Sequence, residues 1–276
     1  MDSIQDKAML AYLNISLPSQ TRTDKRASAD VEHDNEAHAG RARVVKRLFS
    51  KQAIGPVIAA AKRVRLLHYK LTLSWDDTGA RLLPLTCLLD YTEKMQKAIA
   101  EYSEYVSEFS NNYTEQLEVE RERLGKLFNA NDYPVNPGAT CGAVYRLRAV
   151  PSDFKVFGWD DDLAQEISNQ AQLELRQGVV RAMDEAYLRI HDTVSKLVSR
   201  LADPDAIFRD SLLANVQELA DTLSHMNIFD NARLADTVLK MRMLADIDPN
   251  DCRNDPVVRS QTVMSAEEIL RNLSQG

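Results

Sequence analysis

The chain has 276 residues, 44% hydrophobic and 27% charged, with a formal net charge of -7. That is apolar material for one large or two ordinary domains, and the acidic balance argues against a general attraction to nucleic acid or anionic membrane. Nine glycines and nine prolines are too few for the many tight turns of a sandwich or barrel.

Residues 1–8 hold Asp2, Asp6 and Lys7 and no apolar run, so no signal peptide is expected. Residues 9–17 alternate, with Leu10, Tyr12, Asn14 and Ser16 against Ala11, Leu13, Ile15 and Leu17, and predict a strand that Pro18 ends. Residues 19–26 continue the strand or form a loop. Residues 29–38 predict a short exposed helix, and helices are expected over 42–49 and 53–71. Gly55-Pro56 would start the second of these, with the proline where its missing N–H costs little. Residues 71–75 read as extended, and Trp75-Asp76-Asp77-Thr78-Gly79 as a tight turn.

Two long stripes follow. Over 84–129, apolar residues at Leu88, Tyr91, Met95, Ile99, Tyr102, Val106, Phe109 and Tyr113 keep the three-and-four spacing of one helix face. Over 160–201, Ile167, Ala171, Leu175, Gly178, Ala182, Ala186, Ile190, Val194 and Leu197 do the same. Each helix would be about 60 Å long. Pro134, Pro137, Gly138, Gly142 and Pro151 exclude a helix from the 131–159 tip, where 143–150 alternate like a strand and 154–157 could pair with it. Phe109 and Tyr113 would come opposite Gly178 and Ala182 if the two helices pair. Beyond Leu201, helices are expected over 206–225, 232–245 and 256–273, each after an Asp or Asn.

The expected fold is mainly α: a long antiparallel helical hairpin, coiled-coil-like, with a small β-hairpin tip, emerging from a helical body with a short N-terminal strand. The body would be residues 1–83 and 202–276, and the arm 84–201.

Chemical motifs are scarce. There is no phosphate-binding glycine loop, nucleophile elbow or paired-cysteine zinc site, and no cofactor is expected. His33 and His38 are five apart, which turns them about 140° from one another on a helix instead of onto one face. Asp246, Asp248, Asn250 and Asp251 resemble a calcium loop but lack its glycine and closing glutamate, and read as a capping turn. Carboxylates at Asp160, Asp161 and Asp162 suit a helix start. Cys87, Cys141 and Cys252 are odd in number and unpaired in spacing, which fits a reducing cytoplasm. No stretch reaches the roughly 18 uncharged residues of a membrane span.

One asymmetry is pronounced. From residue 37 to residue 75 there is no carboxylate, yet there are Arg41, Arg43, Lys46, Arg47, Lys51, Lys62, Arg63, Arg65 and Lys70. They could contact phosphates, with Phe49, His68, Tyr69 or Trp75 stacking on bases. The favoured reading is that they dock on the acidic 84–129 helix or on a neighbouring copy. At the tip, Tyr133, Tyr145, Arg146, Arg148, Phe154, Phe157 and Trp159 are candidate anchors for a partner protein.

The stretches Ala8-Met-Leu-Ala-Tyr-Leu-Asn-Ile-Ser16, Trp75-Asp-Asp-Thr-Gly-Ala-Arg-Leu-Leu-Pro84 and Arg200-Leu-Ala-Asp-Pro-Asp-Ala-Ile-Phe-Arg-Asp-Ser211 together resemble a family of uncharacterised proteins of tailed bacteriophages and prophages. In that family the gene often lies near a MoxR-type AAA+ ATPase and a cobaltochelatase-like protein with a von Willebrand A domain. The resemblance implies a non-enzymatic phage accessory protein of the host bacterial cytoplasm, acting by protein–protein assembly and serving as an adaptor for such an ATPase. Two alternatives stand beside it: a nucleic-acid-binding protein of phage replication or recombination using the basic segment 41–70, and an inhibitor of a host defence system. Pairing of the arm across two chains would give a homo-oligomer.

Overall fold

The computed structural model of the chain describes residues 4–151, 161–203, 206 and 208–274, with the main chain alone at 161–164. The protein is mainly helical, with small antiparallel sheets. In order, the elements are β1 (Ala8–Ser16), β2 (Thr21–Asp24), α1 (Lys25–Asp34), β3 (Val44–Arg47), α2 (Lys51–Lys70), β4 (Leu73–Ser74) and β5 (Arg81–Pro84). Next come α3 (Leu88–Asn111), α4 (Tyr113–Leu124), β6 (Gly142–Ala149), α5 (Asp161–Ala202), α6 (Ser211–Met226), α7 (Ala232–Ala245), α8 (Pro249–Asn254) and α9 (Pro256–Ser274). One sheet has the order β4-β5-β1-β6, with β1 antiparallel to β5 from Ala8↔Pro84 to Ala11↔Arg81. The other is the two-stranded ribbon β2-β3.

Two compact units divide the chain. The first comprises Met1–Tyr12, Tyr69–Tyr91 and Leu147–Gly276, and the second Leu13–His68 and Thr92–Arg146. Each therefore draws on segments assigned by sequence to the body and on segments assigned to the arm.

In the first unit, Ala182, Ala186, Ile190, Val194, Leu197 and Leu201 form the buried stripe of α5. That stripe, expected to face the other arm helix, packs instead with α6, α9 and β4. Leu213, Val216 and Leu223 of α6, Leu234 and Met241 of α7, and Ile269 of α9 complete the core. Each such aliphatic side chain contributes about 1.5–3 kcal/mol by leaving water. Arg259 closes the end of α5, its Nε donating to the Leu201 carbonyl at 2.7 Å and its Nη2 to the Asp203 carbonyl at 2.7 Å. The ring nearest Gly178 is Trp75. A Cβ there would lie 2.6 Å from the Trp75 ring, so the missing side chain is what lets α5 approach that indole.

In the second unit, Phe49 is the centre of an aromatic cluster. Its ring lies 5.4 Å from Phe109 and 5.4 Å from Tyr133, both edge-on, and 6.1 Å from Tyr113. The long 84–129 helix is broken at Asn112 (φ -91°, ψ 4°), after which Tyr113 turns inward and its hydroxyl donates to the Pro134 carbonyl at 2.8 Å. Asparagines at 111 and 112 are poor helix formers and tolerate the break.

Within the span 42–49, expected to be a helix, Val44–Arg47 form strand β3. Val44 and Val45 favour extended backbone, and pairing with β2 places buried Lys46 against the partly buried carboxylates of Asp24 and Asp132. The residue 29–38 helix begins earlier, at Lys25, because Asp24 caps it by accepting from the Ala27 N–H at 3.0 Å. Likewise α2 starts at Lys51, which leaves Pro56 inside the helix. The turn at 75–79 forms as expected: Asp76 Oδ1 accepts from the Thr78 and Ala80 N–H groups, and Gly79 takes φ 94°.

Candidate functional site

The basic segment is split by the fold into buried, paired and exposed cations. On the ribbon, Lys46 is 5% exposed and lies 3.0 Å from Asp24 and 2.9 Å from Asp132. It also donates to the Leu127 carbonyl at 2.5 Å. Burial alone would lower the Lys46 pKa, but Asp132 and Asp24 outweigh it and the value is raised. Asp24 is held below the usual carboxylate range, first by the Ala27 N–H and then by Lys46. Lys46 is thus a structural cation and not a phosphate contact.

Arg63 pairs with Glu101 at 2.7 Å and lies 5.5 Å over the Tyr105 ring, and Lys70 pairs with Glu218. Arg43 donates to the Thr23 hydroxyl from Nε at 3.0 Å and from Nη2 at 2.8 Å. Arg41, Arg47, Lys51, Lys62 and Arg65 are exposed and make no ion pair among the described residues. Of the aromatics offered for base stacking, Phe49, His68 and Trp75 are buried. Tyr69 is exposed, with the Arg81 guanidinium 4.6 Å over its ring.

The tip residues separate too. Tyr133 is a core residue, 8% exposed, stacked on Phe128 at 5.3 Å, with its hydroxyl donating to the Leu48 carbonyl at 2.9 Å. Burial first, then Glu120, Asp132 and Tyr113, pushes its pKa up to about 12. Tyr145 is half-buried, Arg146 is exposed, and Arg148 lies 5.3 Å over the Tyr12 ring. Phe154, Phe157 and Trp159 lie outside the described residues.

Sequence reasoning missed an ionic network in the first unit. Glu185 of α5 accepts from Arg81 Nη2 at 2.7 and 2.8 Å, from Arg189 Nη2 at 2.6 Å, and from the Ser74 N–H. Arg189 also donates to the Thr72 carbonyl at 2.6 Å. Burial pushes the Glu185 carboxyl up, but Arg189 and Arg81 outweigh it and its pKa is lowered. The i,i+4 pair Glu185–Arg189 was readable as a helix pair; its third member, Arg81, was not. Donors and acceptors satisfy one another, so the network fastens β4 and β5 to α5.

Among the described residues no group of three or more His, Cys, Asp or Glu could hold a metal ion. Asp248 caps α8 by accepting from the Asn250 N–H at 2.8 Å. Nor, among those residues, is any helix long and apolar enough to cross a membrane.

A second feature missed by sequence is an apolar surface on α7 and α9. These helices run opposite ways: Arg233 donates to the Asn272 and Leu273 carbonyls, while Lys240, two turns on, reaches Glu268 at 3.4 Å. Leu239 (58% exposed) and Met243 (67%) are one turn apart on α7, and Val257 (62%) and Met264 (64%) two turns apart on α9. No family model matches the chain, and no curated protein or solved structure matches it. Isolated exposed apolar residues are ordinary on a protein surface; Leu239 and Met243 on α7, with Met264 one turn from Glu268 on the adjoining α9 and Val257 at the start of that helix, are a candidate interface.

Proposed function

We propose that this chain is an assembly protein that binds another protein through the α7–α9 surface. The observation that carries the reading is the exposure of Leu239, Met243, Val257 and Met264 on neighbouring helices. Two of the four are methionines, whose flexible, polarisable side chains adapt to a partner's contours. Lys240, between Asp236 and Glu268, adds a polar rim of the kind that fixes register. The phage resemblance makes the host cytoplasm the setting and a MoxR-type AAA+ ATPase the first partner to try, with the chain as its adaptor.

The test is binding of the purified chain to such an ATPase, and to proteins captured from phage-infected cells, by the wild type and by Leu239→Glu/Met243→Glu. Loss of at least about tenfold in affinity, with an unchanged melting temperature, is expected for a face whose centre carries the energy. A partner that binds both forms equally would contradict the assignment.

A further inference from the structure

We propose that the outward face of the β2–β3 ribbon, continued by the start of α2, is a contact surface for the phosphate backbone of duplex nucleic acid. The register sets Thr21 opposite Arg47 and Thr23 opposite Val45, so these four side chains share one face. Arg43 joins them through its bonds to the Thr23 hydroxyl. Arg22 and Lys46, also directly opposed, both reach Asp132, from the other face. The outward face therefore presents exposed Arg43 and Arg47, with the Thr21 and Thr23 hydroxyls beside them, and exposed Arg41 and Lys51 adjoin it in sequence. Arginine, lysine and threonine are the side chains that contact phosphate.

Three observations favour nucleic acid over an acidic protein. First, the carboxylates that reach the ribbon and the start of α2 are engaged away from the outward face: Asp24 and Asp132 with Lys46, and Glu120 with Arg123 and the Ser50 N–H. Arg41, Arg47 and Lys51 keep their charge unpaired. Second, the face carries one exposed apolar side chain, Val45 at 50%, and no aromatic, whereas protein interfaces are anchored by buried aromatic and apolar groups. Third, the buried Lys46 fixes the ribbon from behind, and a two-stranded ribbon has the width that the major groove admits.

The buried Phe49 ring cannot stack on bases, which is why the duplex is favoured over a single strand.

The experiment is fluorescence anisotropy of the full chain with a labelled duplex of arbitrary sequence, from about 0.03 to 0.3 M salt. Four phosphate contacts predict a slope of log K against log salt of about -3.6, at -0.9 per contact. Arg43→Glu/Arg47→Glu should lower affinity at least about tenfold at fixed salt, while Arg176→Glu, an exposed charge on α5, should leave it unchanged. If the double glutamate variant fails to fold, Arg43→Gln/Arg47→Gln removes the charges without adding new ones, and its own melting curve reports its integrity. No binding at low salt, a salt-independent affinity, or equal affinity in the folded double variant would overturn the proposal. So would a ribbon-dependent protein partner that duplex does not displace.

Discussion

Gly178 and Tyr133 show how little a residue type says before its neighbours are known. A glycine in mid-helix costs about 1 kcal/mol against alanine, so Gly178→Ala would be stabilising in an isolated helix. Here the new Cβ meets the buried Trp75 ring at 2.6 Å, and overpacking costs typically about 1–3 kcal/mol. Gly178→Ala should therefore lower stability by about 1 kcal/mol in urea unfolding, and Trp75→Leu in the same chain should relieve the clash. Equal or greater stability of the single variant would show that the indole yields. Tyr133, offered by sequence as a partner contact, seals the Phe49 cluster. Tyr133→Phe leaves the Leu48 carbonyl without its donor and should cost about 1–3 kcal/mol. A stability unchanged by that substitution would return Tyr133 to the surface.

At the scale of elements, the β2–β3 ribbon is clamped by Lys46 and Asp24 and the β4–β5 pair by Glu185, and these clamps have a pH window. Asp24 and Glu185 have lowered pKa values, so their contribution is present above the ordinary carboxyl range, about pH 4, and lost as pH falls through their folded values. Lys46 has a raised pKa, so its contribution is full below 10.5 and lost as pH rises through its folded value. Urea midpoints should be level from about pH 5 to 10 and fall on both sides, and Lys46→Met should lower the plateau and blunt the acid limb. An unchanged acid limb would mean that Asp24 draws nothing from Lys46. The elements legible in sequence were those whose signal is local: β1 from alternation, the 75–79 turn from Asp76 and Gly79, and α7 and α9 from their caps and period. The strand at Val44–Arg47 lies inside a stretch whose Lys46 and Arg47 look like solvated helix residues, and the carboxylates that hold Lys46 are at positions 24 and 132. The break at Asn112 was hidden because the apolar stripe continues through Tyr113 in register. For the sites, charge counting found the exposed arginines of the ribbon and could not tell them from buried Lys46. The α7–α9 face was invisible, because a surface methionine and a core methionine look alike in sequence.

For the whole molecule, the two compact units carry two different kinds of surface. The first unit bears the apolar face of α7 and α9, and the second bears the basic ribbon. A protein partner held by the first and a duplex held by the second, as proposed, would not compete for side chains. Protein–protein assembly through α7 and α9 is the central claim. Its most direct measurement is cross-linking mass spectrometry on complexes captured from phage-infected cells after nuclease treatment, with a lysine-reactive reagent. Lys240 lies on α7 one residue from exposed Leu239, so the account predicts that partner cross-links concentrate at Lys240 and vanish in Leu239→Glu/Met243→Glu. Cross-links concentrated instead at Lys51 or Lys62 of the second unit, or a partner retained unchanged by the double variant, would contradict it.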